Sequence, residues 1–426
     1  MLLLTDTTGE IDTLHAARSY VQSGRPARIL FLSHRFPYPP IGGDRVKAYH
    51  LLRHLSGHAE VDVISLDEAR SVTQHTPGLE EVRSMISVPF NRATAALRIV
   101  GSLLTQRPIE FAYYHAPEMQ RAVDEALAKS SYDLIICFFL RTAEYVTEHT
   151  KTPKLLIAED ARVILQERAS LNFELSPQYL VRKIDAYKLK QFEPRVMAKG
   201  FDLVTFVSRE DESRIRESDK GIPTSILSNG VDLDEFEYSV APREAEVVFA
   251  GHLGVYHNVL MARRLTERIF PLIKRLMPEA KLAIVGKDPD AKLRSVIART
   301  PGASLYANVP NVRLYLERAR AFVHPQEVGA GIQNKLLEAM AVGTPVVTST
   351  IGASGIEGVV DEENALIRRT DAEFAEAAIA LLRDESQARG LAINARRLME
   401  DRYSWEHVFE RLDQIVEQLI GERKDK

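Results

Sequence analysis

Cysteine is almost absent from this 426-residue chain, and its one copy, Cys137, excludes an intrachain disulfide framework and fits a reducing compartment. Cys137 lies in the apolar run Leu134-Ile135-Ile136-Cys137-Phe138-Phe139, which predicts a buried strand residue and not a nucleophile. Neither charge sign dominates: 55 Lys and Arg against 59 Asp and Glu leave a net charge of -4. That balance gives no general attraction for nucleic acid, so no nucleic-acid partner is expected. No uncharged apolar window approaches the roughly 18 residues of a membrane span. Met1-Leu2-Leu3-Leu4 has no basic leader and is followed by Asp6, Glu10 and Asp12, so no signal peptide is expected. The expected location is the cytoplasm, with at most peripheral contact at the inner face of a membrane. Low-complexity tracts and short-period repeats are also missing, which excludes a solenoid.

What remains is an ordinary soluble composition, 45% hydrophobic and 27% charged, in a chain long enough for about two domains. Short strand candidates alternate with helix-length segments: Arg28 to Ser33, Val61 to Leu66, Leu134 to Phe138, Lys154 to Ile157, Leu203 to Val207 and Thr224 to Leu227. A helix after the first of these carries Val46, Leu51, Leu52 and Leu55 on its apolar stripe. A second set follows the polar stretch Glu237 to Glu244, with strands at Glu246 to Ala250, Lys281 to Val285, Ser304 to Val309, Ala321 to His324 and Pro345 to Ser349. Such alternation predicts an α/β fold of two Rossmann-like domains with parallel sheets facing across a cleft. The expected division is an extension over 1–26, a first domain over 27–236, a linker over 237–244, a second domain over 245–402 and a returning helix over 403–426. No Gly-X-Gly-X-X-Gly turn follows the first strand of either domain, which argues against a dinucleotide oxidoreductase.

The most informative stretch is Gly329-Ala330-Gly331-Ile332-Gln333-Asn334-Lys335-Leu336-Leu337-Glu338, followed by Ala339-Met340-Ala341 and then Thr344-Pro345-Val346-Val347. It reads as a glycine turn opening a helix between two strands. A helix N-terminus presents free N–H groups and the positive end of the helix dipole, so it can hold phosphate. Lys335 and Glu338 are three residues apart and share a face. Together they suit a nucleotide diphosphate, with Lys335 and backbone for phosphate and Glu338 for ribose hydroxyls; the plainer reading is a solvated pair.

Lys335 to Thr348 resembles the carboxyl-domain signature of the family 4 retaining glycosyltransferases, in which two glutamates separated by seven residues precede Ala-Met-Ala and Pro-Val-Val. Glu338 falls on the second glutamate, which the resemblance assigns to the donor ribose. Ala330 stands where the first glutamate, which touches the donor sugar, is expected. The Gly-Ile-Gln-Asn-Lys run is similar to that of bacterial sugar transferases associated with exopolysaccharide and exosortase systems. The resemblance covers roughly Arg28 to Ile420 and implies the GT-B fold, with a last helix crossing back to the first domain. It also implies a nucleotide diphosphate sugar, UDP- or GDP-linked, as donor, a glycan or polyprenyl-linked acceptor, and no separate cofactor or metal.

The strand-end loops supply the remaining candidates. Gly42 and Gly43 resemble the family's glycine loop beside the donor phosphates and acceptor. Gly251 and His252 stand where a Gly-Arg-Leu turn is usual, with His257 near the place of a lysine; histidines in those places leave more of the charge to Lys335. Val309 and Pro310 match a loop whose backbone reads the base. The donor set is therefore Gly42, Gly43, Gly251, His252, Val309, Pro310, Gly329, Gly331, Ile332, Gln333, Lys335 and Glu338, of which Lys335 and Glu338 are the catalytic candidates. The acceptor set is His34, Arg35, Arg141 and Asp160, with Glu159 and Arg162 as neighbours. Arg141 occupies the region where the family often has a histidine. Ser228-Asn229-Gly230-Val231-Asp232 matches a family element at the end of the first domain, and Asn-Gly is also a generic turn.

The segment from Asn91 to Leu104 is apolar and basic with no acids, as a membrane-surface helix would be; a core-facing amphipathic helix is the preferred reading. The expected activity is transfer of a sugar to a hydroxyl of a glycan or lipid-linked glycan with retention, in exopolysaccharide or cell-surface glycan synthesis. The alternative is a weak or inactive relative that binds glycan or nucleotide in an assembly.

Overall fold

A computed structural model describes residues 20–22, 24–67, 76–102, 105–149, 151–170 and 177–421. Most of the extension expected over 1–26, and Leu103 and Leu104 of the basic segment, lie outside them. Seven strands build the first sheet: β1 (Arg28–Ser33), β2 (Glu60–Asp67), β3 (Ser84–Pro89), β4 (Leu134–Phe138), β5 (Lys154–Glu159), β6 (Leu203–Phe206) and β7 (Thr224–Ile226). Their order is β3-β2-β1-β4-β5-β6-β7, and each neighbouring pair is parallel.

The second sheet holds β8 (Glu244–Ala250), β9 (Lys281–Gly286), β10 (Ala303–Ala307), β11 (Ala319–His324), β12 (Val346–Thr348) and β13 (Leu366–Ile367). Its order, β10-β9-β8-β11-β12-β13, repeats the pattern of the first sheet, again all parallel. Each order reverses beside its first strand, between β1 and β4 and between β8 and β11. Loops leaving those ends splay apart and leave a crevice, so the two switch points locate a ligand site before any side chain is considered.

Both faces of each sheet are covered, which is why the strands read as continuous apolar runs. In β1, Leu30 and Leu32 join Ile135, Cys137 and Leu156 in one core, and Ile29 and Phe31 join Leu134, Ile136 and Phe138 in the other. Cys137 is the buried strand residue expected, its thiol pushed up to about 12 by burial.

Two strands of these sheets escaped the sequence reading, as did a short antiparallel pair, Val21–Gln22 with Arg25–Pro26. β3 is an edge strand with only Val88 buried, and β13 is two residues long, so neither shows an apolar run. The helices Arg162–Ser170 and Pro177–Ala198 were also not anticipated. β10 stops at Ala307 and not at Val309, because Asn308 turns into the left-handed region at φ 56°.

The chain returns to the first domain through helix Trp405–Gly421, whose Trp405, Val408, Leu412, Ile415 and Leu419 share a core with Ile29, Phe31, Leu51 and Leu55. Gly230 admits this return: a Cβ there would lie 2.5 to 2.9 Å from Trp405 ring atoms. The Val231 N–H donates to the Tyr403 carbonyl at 2.7 Å beside it. The Asn-Gly-Val-Asp element is thus where the chain's end docks.

The preferred reading of Asn91 to Leu104 as core-facing is overturned. Residues Arg92–Ser102 are helical, but only Ala95 and Ser102 are buried. Helix Ile109–Tyr114 packs on this helix, and Leu97 and Val100 remain exposed.

Candidate active site

Helix α1 (Gly43–Ser56) leaves the end of β1, and α2 (Asn334–Val342) follows β11 after the glycine turn. α2 is held by its buried face of Leu336, Leu337, Ala339, Met340 and Ala341, and it ends at Gly343 in the left-handed region, a common helix stop. Neither helix has a side chain of its cap residue, Gly42 or Gln333, bonded to its start. The two starts meet. The Asn229 amide donates to Asn334 Oδ1 at 2.7 Å, and a Cβ on Gly43 would be 3.4 Å from the Asn334 amide nitrogen.

Lys335 and Glu338 both lie partly buried on α2. The solvated Lys335–Glu338 pair of the plainer reading is not what the side chains do. Lys335 Nζ donates to Asn258 Oδ1 at 2.9 Å and to Gln333 Oε1 at 3.0 Å, both neutral partners. Burial brings the Lys335 ammonium down to about 8, with Glu338 opposing, and pushes the Glu338 carboxyl up to about 7, with Lys335 opposing.

Asn258 is a residue that sequence reasoning missed. Buried in the first turn of helix Tyr256–Arg264, it also donates to the His252 carbonyl at 3.0 Å and so ties the Gly251-His252 turn to Lys335. The resemblance places a cation there, and an amide that holds a cation gives no such signal. His252 itself is exposed and lies 2.9 Å from Asp288 through Nε2. His257 is lowered to about 4 by burial and by Lys335. His324, at the end of β11, is fully buried and held well below its usual range by burial; its Nδ1 is 3.2 Å from Thr348 Oγ1 and its Nε2 has no protein partner. Among these groups Lys335 is the cation held at the start of α2.

The loop before α2 seats on the first domain. Gly331 takes φ 65°, and a Cβ there would come within 3.2 Å of Val207 and 3.4 Å of the Asp160 side chain. The Gly329 carbonyl accepts from Arg168 at 2.7 Å. Ala330, in the place of the family's first glutamate, packs against the first-domain core and offers no group to a sugar. Ile332 is corrected: its side chain is buried in the second-domain core, so only its backbone is available to a donor. Val309 likewise turns its side chain to that core, while Pro310 is exposed.

The acceptor candidates separate. His34 is corrected from a loop contact to a sealed ring, 2% exposed, 4.4 Å from Phe139 and with Nε2 3.3 Å from Asp44. Burial takes it down to about 4, so it is neutral near pH 7. Arg35 pairs with the same Asp44 at 3.1 Å. Glu159 is corrected too: it is buried with Nζ of Lys47 2.6 Å away, and Lys47 also donates to the Leu227 carbonyl at 2.8 Å. Arg141 pairs with Glu110 and lies 4.2 Å over the Tyr114 ring. Arg162 reaches Glu110 at 2.9 Å and Asp160 at 3.1 Å, which completes a charged chain from Arg141 to Asp160, next to Gly331. Neither Glu110 nor Lys47 was anticipated, because each sits in a segment that reads as ordinary amphipathic helix.

Two Asp-X-Asp triplets that the metal-free expectation passed over have local duties. Asp232 accepts from the N–H groups of Asp234 and Glu235. Asp288 faces His252, and Asp290 caps helix Ala291–Arg299. Among the described residues no group of three His, Cys, Asp or Glu is placed to hold a metal ion.

Residues 244–384, the second sheet with its helices, match the family model of glycosyl transferases group 1. A 44.6 kDa protein from the cps region of Klebsiella pneumoniae is 23% identical over 405 residues, 90% of this chain and 98% of that one. The GDP-mannose-dependent alpha-(1-6)-phosphatidylinositol monomannoside mannosyltransferase of Mycolicibacterium smegmatis is 29% identical over 255 residues, 54% of this chain and 65% of that one. Among solved structures, sucrose-phosphate synthase from Thermosynechococcus elongatus covers 93% of this chain and 99% of its own at TM-score 0.71 and 20% identity. Anabaena Alr3699/HepE in complex with UDP covers 92% and 100% at TM-score 0.67 and 14% identity. The second domain is thus similar to the group 1 glycosyltransferases, as are the relatives along the chain, and the two-sheet architecture is the GT-B fold.

Proposed function

We propose that this glycosyltransferase takes a sugar from a nucleotide diphosphate donor, with the diphosphate at the facing starts of α1 and α2 and on Lys335, and the ribose on Glu338. The observation that carries the reading is the Asn258–Lys335–Gln333 clamp, which holds one ammonium beside an uncapped helix start. Charge that develops on the departing diphosphate would be met there without rearrangement. In this reading no metal or other cofactor takes part. Donor linkage to UDP or GDP is supported only by what relatives use: HepE is in complex with UDP, and the mycobacterial enzyme is GDP-mannose-dependent.

Transfer to a hydroxyl of a glycan or lipid-linked glycan, with retention and in exopolysaccharide synthesis, is the finer part of the proposal. The cps-region relative supports the pathway class. Asp160 and Arg141 would meet the acceptor from the first domain. The protein would work in the cytoplasm at the inner face of the membrane; among the described residues no helix is long and apolar enough to cross one. Ala330 favours a second reading, an assembly subunit that binds nucleotide or glycan without turnover, because no carboxylate stands in its place to orient the sugar.

Thermal unfolding with saturating UDP, GDP, ADP or CMP separates these readings. Nucleotide at about a hundred times its Kd adds about 2.7 kcal/mol of stability. One nucleoside diphosphate is expected to raise Tm, and Glu338→Ala to abolish the shift; no shift with any of them would sink the donor-site assignment. Binding without transfer would leave the assembly reading.

The pH dependence of that binding follows from the two groups on α2. Glu338 accepts from ribose hydroxyls as the carboxylate, which forms as pH rises through about 7, and Lys335 holds phosphate as the ammonium, which is lost as pH rises through about 8. Affinity is therefore expected to peak between those values and to fall on both sides. Titration calorimetry from pH 6 to 9 checks this, and an affinity flat across that span would contradict it.

A further inference from the structure

The helix Arg92–Ser102 is not alone on its face of the first domain. Leu97 and Val100 stand 72% and 65% exposed on it. On the neighbouring helix Pro177–Ala198, Leu180 and Tyr187 are 61% and 63% exposed, with Val181 and Ile184 also out in solvent. The two helices are joined where Lys188 Nζ donates to the Ser102 carbonyl at 2.7 Å, which brings the end of one against the middle of the other.

The exposed charge carried by the two helices has one sign. Arg92–Ser102 contains no acid. Both acids of Pro177–Ala198 are buried: Asp185 accepts from the Ile109 N–H, and Glu193 accepts from the N–H groups of Arg162 and Val163. The exposed charges are Arg92, Lys183, Lys190 and Arg195. Large apolar side chains ringed by cations, with every carboxylate of both helices turned inward, match the boundary between acyl chains and anionic headgroups. A protein partner of ordinary composition would not demand the absence of exposed acid.

We infer that the paired helices Arg92–Ser102 and Pro177–Ala198 form a docking face for an anionic phospholipid bilayer. The inference deepens the proposed transfer to a lipid-linked glycan and rests on that reading for its purpose. The face is coupled to the cleft: Glu193 caps the start of helix Arg162–Ser170, and Arg182 of the docking helix donates to Gln166 of the same helix at 3.1 Å. That helix carries Arg162 of the acceptor cluster and Arg168, which holds the Gly329 carbonyl. Docking would thus place the acceptor side of the crevice next to the lipid surface.

Cosedimentation of the full chain with vesicles of phosphatidylglycerol and phosphatidylcholine, against phosphatidylcholine alone, tests this. Binding to the anionic vesicles is expected, weakening as salt is raised. A cation near such a surface contributes roughly fivefold to binding. The pairs Leu97→Asp with Tyr187→Glu, and Lys190→Glu with Arg195→Glu, are therefore each expected to lower vesicle binding at least tenfold. All four side chains are exposed, so Tm and the nucleotide-induced Tm shift should stay at wild-type values. The nucleotide shift reports on the donor site by itself, so a failure of docking and a failure of the donor reading are distinguishable. Wild-type protein left in the supernatant with both vesicle types would overturn the inference, as would variants that sediment like wild type. A wild-type dimer by light scattering that the variants lose, with no vesicle binding, would reassign the face to a second copy of the chain.

Discussion

Lys335→Ala is expected to lower kcat/KM for the nucleotide sugar by about 10²–10³-fold, the usual loss when one preorganised electrostatic group is removed from a transferase or hydrolase site. The size follows from isolation. His257 and His324 are neutral near pH 7 because burial and the Lys335 charge hold their protons off, and His252 faces Asp288. Lys335 is the ammonium that neutral partners hold at the start of α2. The loss should appear mainly in kcat, because charge builds on the diphosphate as the sugar departs, and only partly in KM. Asn258→Ala keeps the ammonium but releases it from one of its two anchors, so a smaller loss, about tenfold, is expected there. Steady-state kinetics of both variants decide the matter. A Lys335→Ala enzyme within threefold of wild type would mean that backbone N–H groups alone hold the diphosphate.

The second large effect is on stability. Lys47→Met removes the cation from a pair in which Lys47 is 1% exposed, leaving the Glu159 carboxyl buried against the end of β5. Breaking one side of a buried pair costs about 3–5 kcal/mol, whereas replacing both partners with uncharged groups is often near neutral. Lys47→Met is therefore expected to lower the unfolding free energy from denaturant titration by that amount, and adding Glu159→Gln to recover most of it. The change should also loosen the strand of contacts through the Leu227 carbonyl, the backbone just before Asn229 and Gly230. A single-variant cost under about 1 kcal/mol would show that Glu159 simply takes up a proton when its partner is gone.

The frame of the molecule was legible because it depends on short-range pattern. Leu134 to Phe138 reads as a buried strand from its apolar run alone, and alternating strands and helices admit few arrangements other than parallel sheets. The same logic explains what was missed: β3 is an edge strand half open to solvent, so its residues carry no burial signal. Helix Pro177–Ala198 conceals both of its acids and shows Leu180 and Tyr187 outside, an inverted pattern that periodicity does not interpret. The same inversion defeated the core-facing reading of the segment after Asn91.

At the site, the sequence alone determined the glycine turn, the helix it opens, and the shared face of Lys335 and Glu338, since three residues along a helix is a local distance. Tertiary structure decided the rest. Asn258 lies 77 positions before Lys335 and Asn229 lies 105 before Asn334, and each pair meets only because two sheets with the same strand order face one another. Burial likewise belongs to the assembled fold: it seals His34 and Glu159 away from a substrate, and it draws Lys335 and Glu338 toward neutral pH. A charge's surroundings are built from residues distant in the chain, so chemistry that depends on desolvation cannot be read from neighbours in sequence.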